Sequence, residues 1–207
     1  MRFVDEVLDA LSLEKTFLVG TSGGGVWATW YALRKPERVR GLVMLGSPPA
    51  LPGVQVPVPM RLMATPVVGD LLSRVMHPGP RAIARMMAPM GEADTIVRHP
   101  GLLQSRVAEM ADPVAGRANL AEIRALLTPT GWRKEMEITL DELRTLKVPT
   151  LMIWGDHDPV VSVEAARSAA EAIPDARLEV LPAGHVPQLG NPGRVADLLA
   201  EFVKEHD

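Results

Sequence analysis

Length, composition and charge place the chain among compact globular proteins and exclude several kinds of chemistry. The 207 residues are 47% hydrophobic, which is enough to form the core of one domain, or of one domain with an insertion. The net charge of -3 comes from acidic and basic residues mixed along the chain, so we expect no nucleic-acid partner. Because the chain has no cysteine, a thiol nucleophile, a disulfide framework and thiolate metal sites are excluded.

The sequence shows no sign of membrane insertion or secretion. No apolar run reaches membrane-spanning length, and the first residues lack a basic region followed by an apolar one. We therefore expect no membrane partner and a cytoplasmic location, which a signal upstream of Met1 would change.

Apolar runs and helical patterns alternate along the chain. It opens with a predicted amphipathic helix, because apolar residues recur at helical spacing from Phe3 to Leu11. The predicted strands are 16–19, 41–45, 148–154 and 177–181. Further helices are predicted at 26–35, 163–173 and about 194–203. The second and third strands are continuously apolar, as in parallel strands covered on both faces, so the fold class is α/β with a parallel sheet.

The region between the second and third strands breaks this alternation. It opens with a proline-rich linker at 47–59 and continues as short helical pieces. We therefore predict a core formed by residues 1–47 and 146–207 and an inserted helical cap at 48–145. The cap is rich in methionine, at positions Met60, Met63, Met76, Met86, Met87, Met90, Met110 and Met136. Ordinary helix packing explains these residues, and the lining of a substrate site is the alternative.

A glycine-rich turn joins the first strand to the next helix. Its residues Gly20 to Gly24 fit the pattern G-x-S-x-G, with Ser22 at the centre. The serine of this pattern sits on a sharp turn, which requires small neighbours at Gly20 and Gly24. The N–H of Gly23 is then the expected donor to a developing oxyanion. Any strand-to-helix turn can use glycine, so the motif alone does not decide its function.

A serine nucleophile needs an imidazole base and a carboxylate that orients the base. His185 lies in a loop just after the last strand, where its side chain would reach the carboxyl edge of the sheet. Asp156 and Asp158 follow the third strand and reach the same edge. We favour Asp158, which lies further into the loop, and assign Asp156 to a turn-capping role. The remaining histidines are expected at the solvated surface: His77, His99, His157 and His206.

From Met1 to about Val203, the sequence resembles the α/β-hydrolase superfamily. Residues 17–25 look like its nucleophile elbow, and residues 35–43 resemble the link into the next strand. Residues 149–158 and 184–187 are similar to its acid and histidine segments. The resemblance implies a triad of Ser22, Asp158 and His185, with the acid at the position that Asp158 matches.

The resemblance also implies a larger sheet. Members of the superfamily have about four more strands before the opening helix, and a loop in that half supplies the second oxyanion N–H. We therefore expect this chain to be a shortened form that holds the carboxy-terminal half of the sheet. Its first strand would then be an apolar edge prone to self-association.

These observations favour a serine hydrolase that acts on a small or medium apolar ester through an acyl-serine intermediate. We expect no metal or organic cofactor, and a small apolar molecule as the partner. A carbon-carbon bond hydrolase, an amidase and a cofactor-free haloperoxidase-like enzyme remain open. A non-catalytic protein for ligand binding or assembly is the alternative from another class. A dinucleotide-binding domain is disfavoured because G-x-G-x-x-G is not present.

Overall fold

The computed structural model describes residues 2–48, 50–75 and 79–207. The helices in chain order are α1 (Arg2–Ala10), α2 (Gly23–Arg34), α3 (Val58–Ala64), α4 (Val68–Val75), α5 (Pro80–Met87), α6 (Ala93–Arg98), α7 (Pro100–Ala111), α8 (Pro113–Leu126), α9 (Leu140–Arg144), α10 (Val163–Ala172), α11 (Pro187–Gly190) and α12 (Pro192–His206). The strands are β1 (Thr16–Thr21), β2 (Val39–Leu45), β3 (Leu127–Thr128), β4 (Gly131–Trp132), β5 (Thr150–Gly155) and β6 (Ala176–Leu181). Among the described residues, no helix is long and apolar enough to cross a membrane.

The four predicted strands form one parallel sheet, which confirms the predicted fold class. Its order is β1-β2-β5-β6, and every neighbouring pair runs parallel. The strand ends differ slightly from the prediction. In particular, β1 continues to Thr21 and so leads directly into Ser22. All four strands therefore end at one edge of the sheet, where the predicted site residues follow β1, β5 and β6.

One hydrophobic cluster of the core lies between the middle of this sheet and α12. All six residues of β5 are buried, and β2 is buried except at Arg40, as their continuous apolar sequences predict. Helix α12 places Val195, Leu198 and Phe202 on one face, against the side chains of β2 and β5. Burying each such side chain contributes about 1.5–3 kcal/mol. This packing holds the strand ends in fixed positions.

The described chain divides into two compact units. One, which we call the sheet unit, comprises Met1–Pro52 and Ile138–Asp207, and the other, the helical unit, comprises Gly53–Glu137. These boundaries fall inside the predicted cap range of 48–145. The structure groups α9 with the sheet unit because α9 packs on α10 and buries Leu143 completely.

The helical unit consists of short helices and the two-residue strands β3 and β4. Its longest helix, α8, begins at a side-chain cap, where Asp112 accepts a hydrogen bond from the Val114 N–H at 2.7 Å. Arg124 on α8 binds the Asp70 carboxylate on α4 at 2.9 Å. Such short helices depend on packing against one another, because isolated helices of this length are marginal in water.

Candidate active site

Ser22 occupies the turn between β1 and α2 in a strained backbone conformation. Its φ is 49° and its ψ is -123°, a combination that costs a non-glycine residue about 1–3 kcal/mol. Gly20 makes the turn possible, because a Cβ there would lie 2.5 Å from the Cα of Gly25. The turn therefore holds the Ser22 side chain at the carboxyl edge of the sheet.

The structure corrects one steric prediction about this turn. A Cβ on Gly24 would meet nothing within 4 Å in the described chain, so close packing does not require glycine there. The tight position is Gly25, where a Cβ would lie 1.5 Å from the Ser47 hydroxyl oxygen. Ser47 is fully buried and donates a hydrogen bond to the Ser22 carbonyl at 2.9 Å. The end of β2 is thereby tied to the turn.

The structure brings Ser22, His185 and Asp158 into one hydrogen-bonded series. With the proton of the imidazole on Nδ1, His185 donates to Asp158 Oδ2 at 2.9 Å, and the Ser22 hydroxyl donates to His185 Nε2 at 3.0 Å. The Asp158 side chain is fully buried and that of His185 is 2% exposed. An arrangement of this kind can remove the serine proton and stabilise the imidazolium that results.

Asp158 is fixed on both sides of its carboxylate. Oδ2 faces His185, while Oδ1 accepts hydrogen bonds from the N–H groups of Val160 and Val161 at 2.8 and 3.1 Å. The indole of Trp154 donates to the Val161 carbonyl at 3.0 Å and holds the same loop. Asp158 is thus oriented towards His185 by the fold of its own loop.

Asp156 has different partners. Its Oδ1 accepts a hydrogen bond from the Ala183 N–H at 3.2 Å and another from the His157 imidazole. Burial raises the pKa of Asp156, but the hydrogen bonds from His157 and Ala183 outweigh burial and hold that pKa below its ordinary value. The structure therefore places Asp158 beside His185 and connects Asp156 to the backbone of the histidine loop.

Two glycines at the strand ends set the position of the histidine loop. A Cβ on Gly46, after β2, would lie 2.1 Å from the His185 carbonyl oxygen. A Cβ on Gly155, at the end of β5, would lie 2.0 Å from the Gly184 carbonyl oxygen. Gly46 also has a φ of 53°, which favours glycine. The backbone of this loop consequently packs directly against the ends of both central strands.

Sequence reasoning missed a second link between the histidine loop and the serine turn. The Gln188 amide on α11 donates to the Thr21 hydroxyl at 2.9 Å, next to Ser22 in the chain. The Gln188 Oε1 atom is buried and has no hydrogen-bond partner among the described residues. The only available signal was the position of Gln188, three residues after His185, and that position does not identify Thr21 as a partner.

The remaining predicted residues fall in the following places. Gly23 is the first residue of α2, so its N–H has no acceptor inside the helix and is available to a ligand. His99 and His157 are exposed, as predicted, whereas His77 lies outside the described residues. The prediction for His206 is wrong: α12 extends to this residue, which is half-buried against the Phe202 ring at 4.7 Å between ring centres.

Comparison with known proteins identifies the family. A family model described as serine aminopeptidase, S33, matches residues 2–185, a range that includes Ser22, Asp158 and His185. The chain belongs to this family of α/β-hydrolases.

Two curated relatives are both named as hydrolases. A 2-hydroxymuconate semialdehyde hydrolase from Pseudomonas sp. (strain CF600) is 31% identical over 97% of this chain and 66% of its own length. A 2-hydroxy-6-oxononadienedioate/2-hydroxy-6-oxononatrienedioate hydrolase from Paraburkholderia phymatum is 29% identical over 98% of this chain and 67% of its own length. The chain thus spans about two thirds of the length of these curated relatives.

A solved structure agrees with the fold. The thermophilic esterase from Thermogutta terrifontis, with malate bound, is 26% identical, covers 99% of this chain and 71% of its own, and superposes with a TM-score of 0.71.

Proposed function

We propose that the chain contains the catalytic centre of a serine hydrolase, in which Ser22 forms an acyl intermediate. The observation that carries this proposal is the continuous series of hydrogen bonds from Ser22 through His185 to Asp158. A purely structural histidine–aspartate ion pair could also contain a buried carboxylate. Such a pair does not require a strained serine that is hydrogen-bonded to the second nitrogen of the imidazole.

The geometry supports a two-stage reaction. Ser22 Oγ attacks a carbonyl carbon of the substrate while His185 Nε2 takes the hydroxyl proton. His185 then gives this proton to the leaving group as its bond to the carbonyl carbon breaks, which leaves an acyl-serine. A water molecule, deprotonated in turn by His185, releases the acid and restores the Ser22 hydroxyl. Asp158 keeps the imidazole in the required tautomer throughout.

Gly23 is our candidate for stabilising the charge that develops in both stages. Its N–H lies at the amino-terminal end of α2, where the helix dipole favours negative charge. A backbone donor in this position costs no reorganisation during the reaction.

Two substrate classes are consistent with this chemistry. A small or medium apolar ester is the first, and the similarity to the Thermogutta terrifontis esterase supports it. The second is a carbonyl compound whose carbon-carbon bond is hydrolysed, and the names of the curated relatives favour this candidate. In both cases an acyl group is transferred to Ser22, and the difference lies in the leaving group that His185 protonates.

Covalent labelling tests the proposal directly. A fluorophosphonate probe should label the wild-type chain at Ser22 and should not label Ser22→Ala. Absence of labelling in the wild type would favour a non-catalytic binding protein. Rates with a nitrophenyl butyrate and with 2-hydroxymuconate semialdehyde then compare the two substrate classes through kcat/KM. The cytoplasmic location stays a prediction, which cell fractionation would test.

A further inference from the structure

The helical unit contains a cavity whose lining is mainly apolar. Its volume is about 310 Å³, and four methionines line it: Met60 and Met63 of α3, Met86 of α5 and Met110 of α7. Sites for small organic ligands begin at about 300 Å³ and are mostly apolar. Methionine side chains adapt to ligands of different shape, because they are unbranched and polarizable. Four of the eight methionines in the predicted cap therefore line one cavity.

A second cavity, of about 300 Å³, adjoins the first. Ser73, Met110 and Gly116 line both cavities, so these three residues border both spaces. The second cavity has a mixed apolar and polar lining, and its charged lining residues are Arg74, Arg117, Asp70 and Asp112. The helical unit thus presents an apolar space beside one that is lined by two arginines and two aspartates.

The carboxylates around these cavities are already engaged. Asp70 binds Arg124 at 2.9 Å, and this hydrogen bond holds the pKa of Asp70 below its ordinary value. Asp112 caps α8, and Glu109 pairs with Arg106 at 2.8 Å. Neither Arg74 nor Arg117 forms an ion pair within the described part of the chain, but the charge of Arg74 also acts on Asp70 and helps to lower its pKa. Arg117 is therefore the guanidinium that is left available to an anion.

We propose that the helical unit binds an amphipathic organic anion, with an apolar chain or ring among the methionines and a carboxylate at Arg117. Arginine pairs well with carboxylates because its planar group can donate two parallel hydrogen bonds. This site is lined only by residues of the helical unit and does not depend on the chemistry proposed for Ser22.

A pair of glycine substitutions tests where the apolar part binds. Gly116 borders both cavities, and a Cβ built on it meets nothing within 4 Å, so the side chain of Gly116→Leu would start without collision and take up part of this space. Gly101 on α7 also has open space around it but lines neither cavity, so Gly101→Leu is the matched control. Both changes replace a helical glycine by a good helix former, and both chains should fold.

Calorimetric titration with octanoate gives the readout. We expect Gly116→Leu to weaken octanoate binding at least about tenfold, and Gly101→Leu and Ser22→Ala to bind like the wild type. No octanoate binding by the wild type at millimolar concentration would overturn the proposal. Equal binding by Gly116→Leu and the wild type would also overturn it, because octanoate would then occupy another site.

A second comparison tests the charged part. Arg117→Gln should weaken octanoate binding by about tenfold and leave 1-octanol binding unchanged. Arg81→Gln, an exposed arginine of the same unit that lines neither cavity, should affect neither ligand. If octanol binds as tightly as octanoate, and Arg117→Gln binds both normally, the anionic part of the proposal is wrong.

Discussion

Main-chain segments pack against one another differently within the sheet unit and within the helical unit. In the sheet unit, Gly46 and Gly155 leave no room for a Cβ because carbonyl groups of the histidine loop lie against them. In the helical unit, Gly69 is equally tight, because a Cβ there would lie 2.1 Å from the Met63 carbonyl oxygen, but Gly101 and Gly116 have open space around them and methionines line a cavity. The comparison teaches that the candidate triad, whose side chains need fixed mutual distances, lies where main-chain segments pack directly against one another. Adaptable side chains lie where the helices leave room.

The largest effect is expected at the candidate triad. Ser22→Ala and His185→Ala should each reduce turnover by about 10⁶-fold, and the double variant should be little worse, because neither group works without the other. Steady-state kinetics on the preferred substrate provide the measurement. Additive losses in the double variant would show that the two side chains do not act together.

The two carboxylates after β5 should differ by a large factor. Asp158→Asn should lower turnover by about 10⁴-fold, because an amide beside His185 Nδ1 selects the wrong tautomer. Asp156→Asn is the matched control and should have a much smaller effect, since an amide oxygen still accepts the Ala183 N–H. A reversed order of the two effects would transfer the role of the acid to Asp156.

Adding one methyl group at a glycine in each unit tests the structural contrast. Gly155→Ala should lower the free energy of unfolding by about 3 kcal/mol, because the new Cβ would lie 2.0 Å from the Gly184 carbonyl oxygen. Gly116→Ala, in the open interior of α8, should raise it by about 0.5–1 kcal/mol. Denaturant and thermal unfolding measure both changes. Equal effects would contradict the difference between the two units.

We also propose that the free edge of β1 pairs one chain with another copy. Among the described strands β1 pairs only with β2, Val19 is 52% exposed, and residues 17–19 contain neither charge nor proline. Val19→Lys should therefore shift the chain towards monomer in size-exclusion chromatography with light scattering. Val114→Lys, at an exposed valine of the helical unit, should leave the association unchanged. A wild-type chain that is already monomeric would contradict the proposal.

The smallest effect concerns Tyr31, the single tyrosine of the chain. Burial, followed by the hydrogen bond to Asp5, raises the pKa of Tyr31 to about 12. Protonated Tyr31 therefore stabilises the fold below pH ~10, and this contribution is lost as the pH rises through the folded pKa.

Ultraviolet absorbance during an alkaline titration measures this single phenol. Asp5→Asn should lower its pKa, whereas Glu6→Gln, on an exposed side chain of the same helix, should not. Titration of the folded chain at the ordinary tyrosine pKa would show that the phenol is not buried as described.

The parallel sheet and the candidate triad could be predicted because both depend on local patterns. Continuous apolar runs mark buried parallel strands, and the residues after three of those strands meet at one edge. Ser22, Asp158 and His185 therefore followed from strand ends, the elbow pattern and the resemblance.

Contacts between distant parts of the chain could not be predicted in the same way. The tight glycine is Gly25 rather than Gly24, because Ser47 approaches it from the end of β2. The bond from Gln188 to Thr21 joins residues that only the folded sheet brings together. The helical unit ends at Glu137, before α9, because α9 packs on α10, a contact absent from any local pattern.

The double engagement of Asp158 has a consequence for how the site can be observed. One carboxylate both orients His185 and holds the amides of Val160 and Val161 through Oδ1. The exchange of these two amide protons with deuterated solvent should therefore be slow while their hydrogen bonds to Oδ1 are formed. Their exchange rates would report whether Asp158 is held in its loop in the resting protein, without a substrate and without turnover.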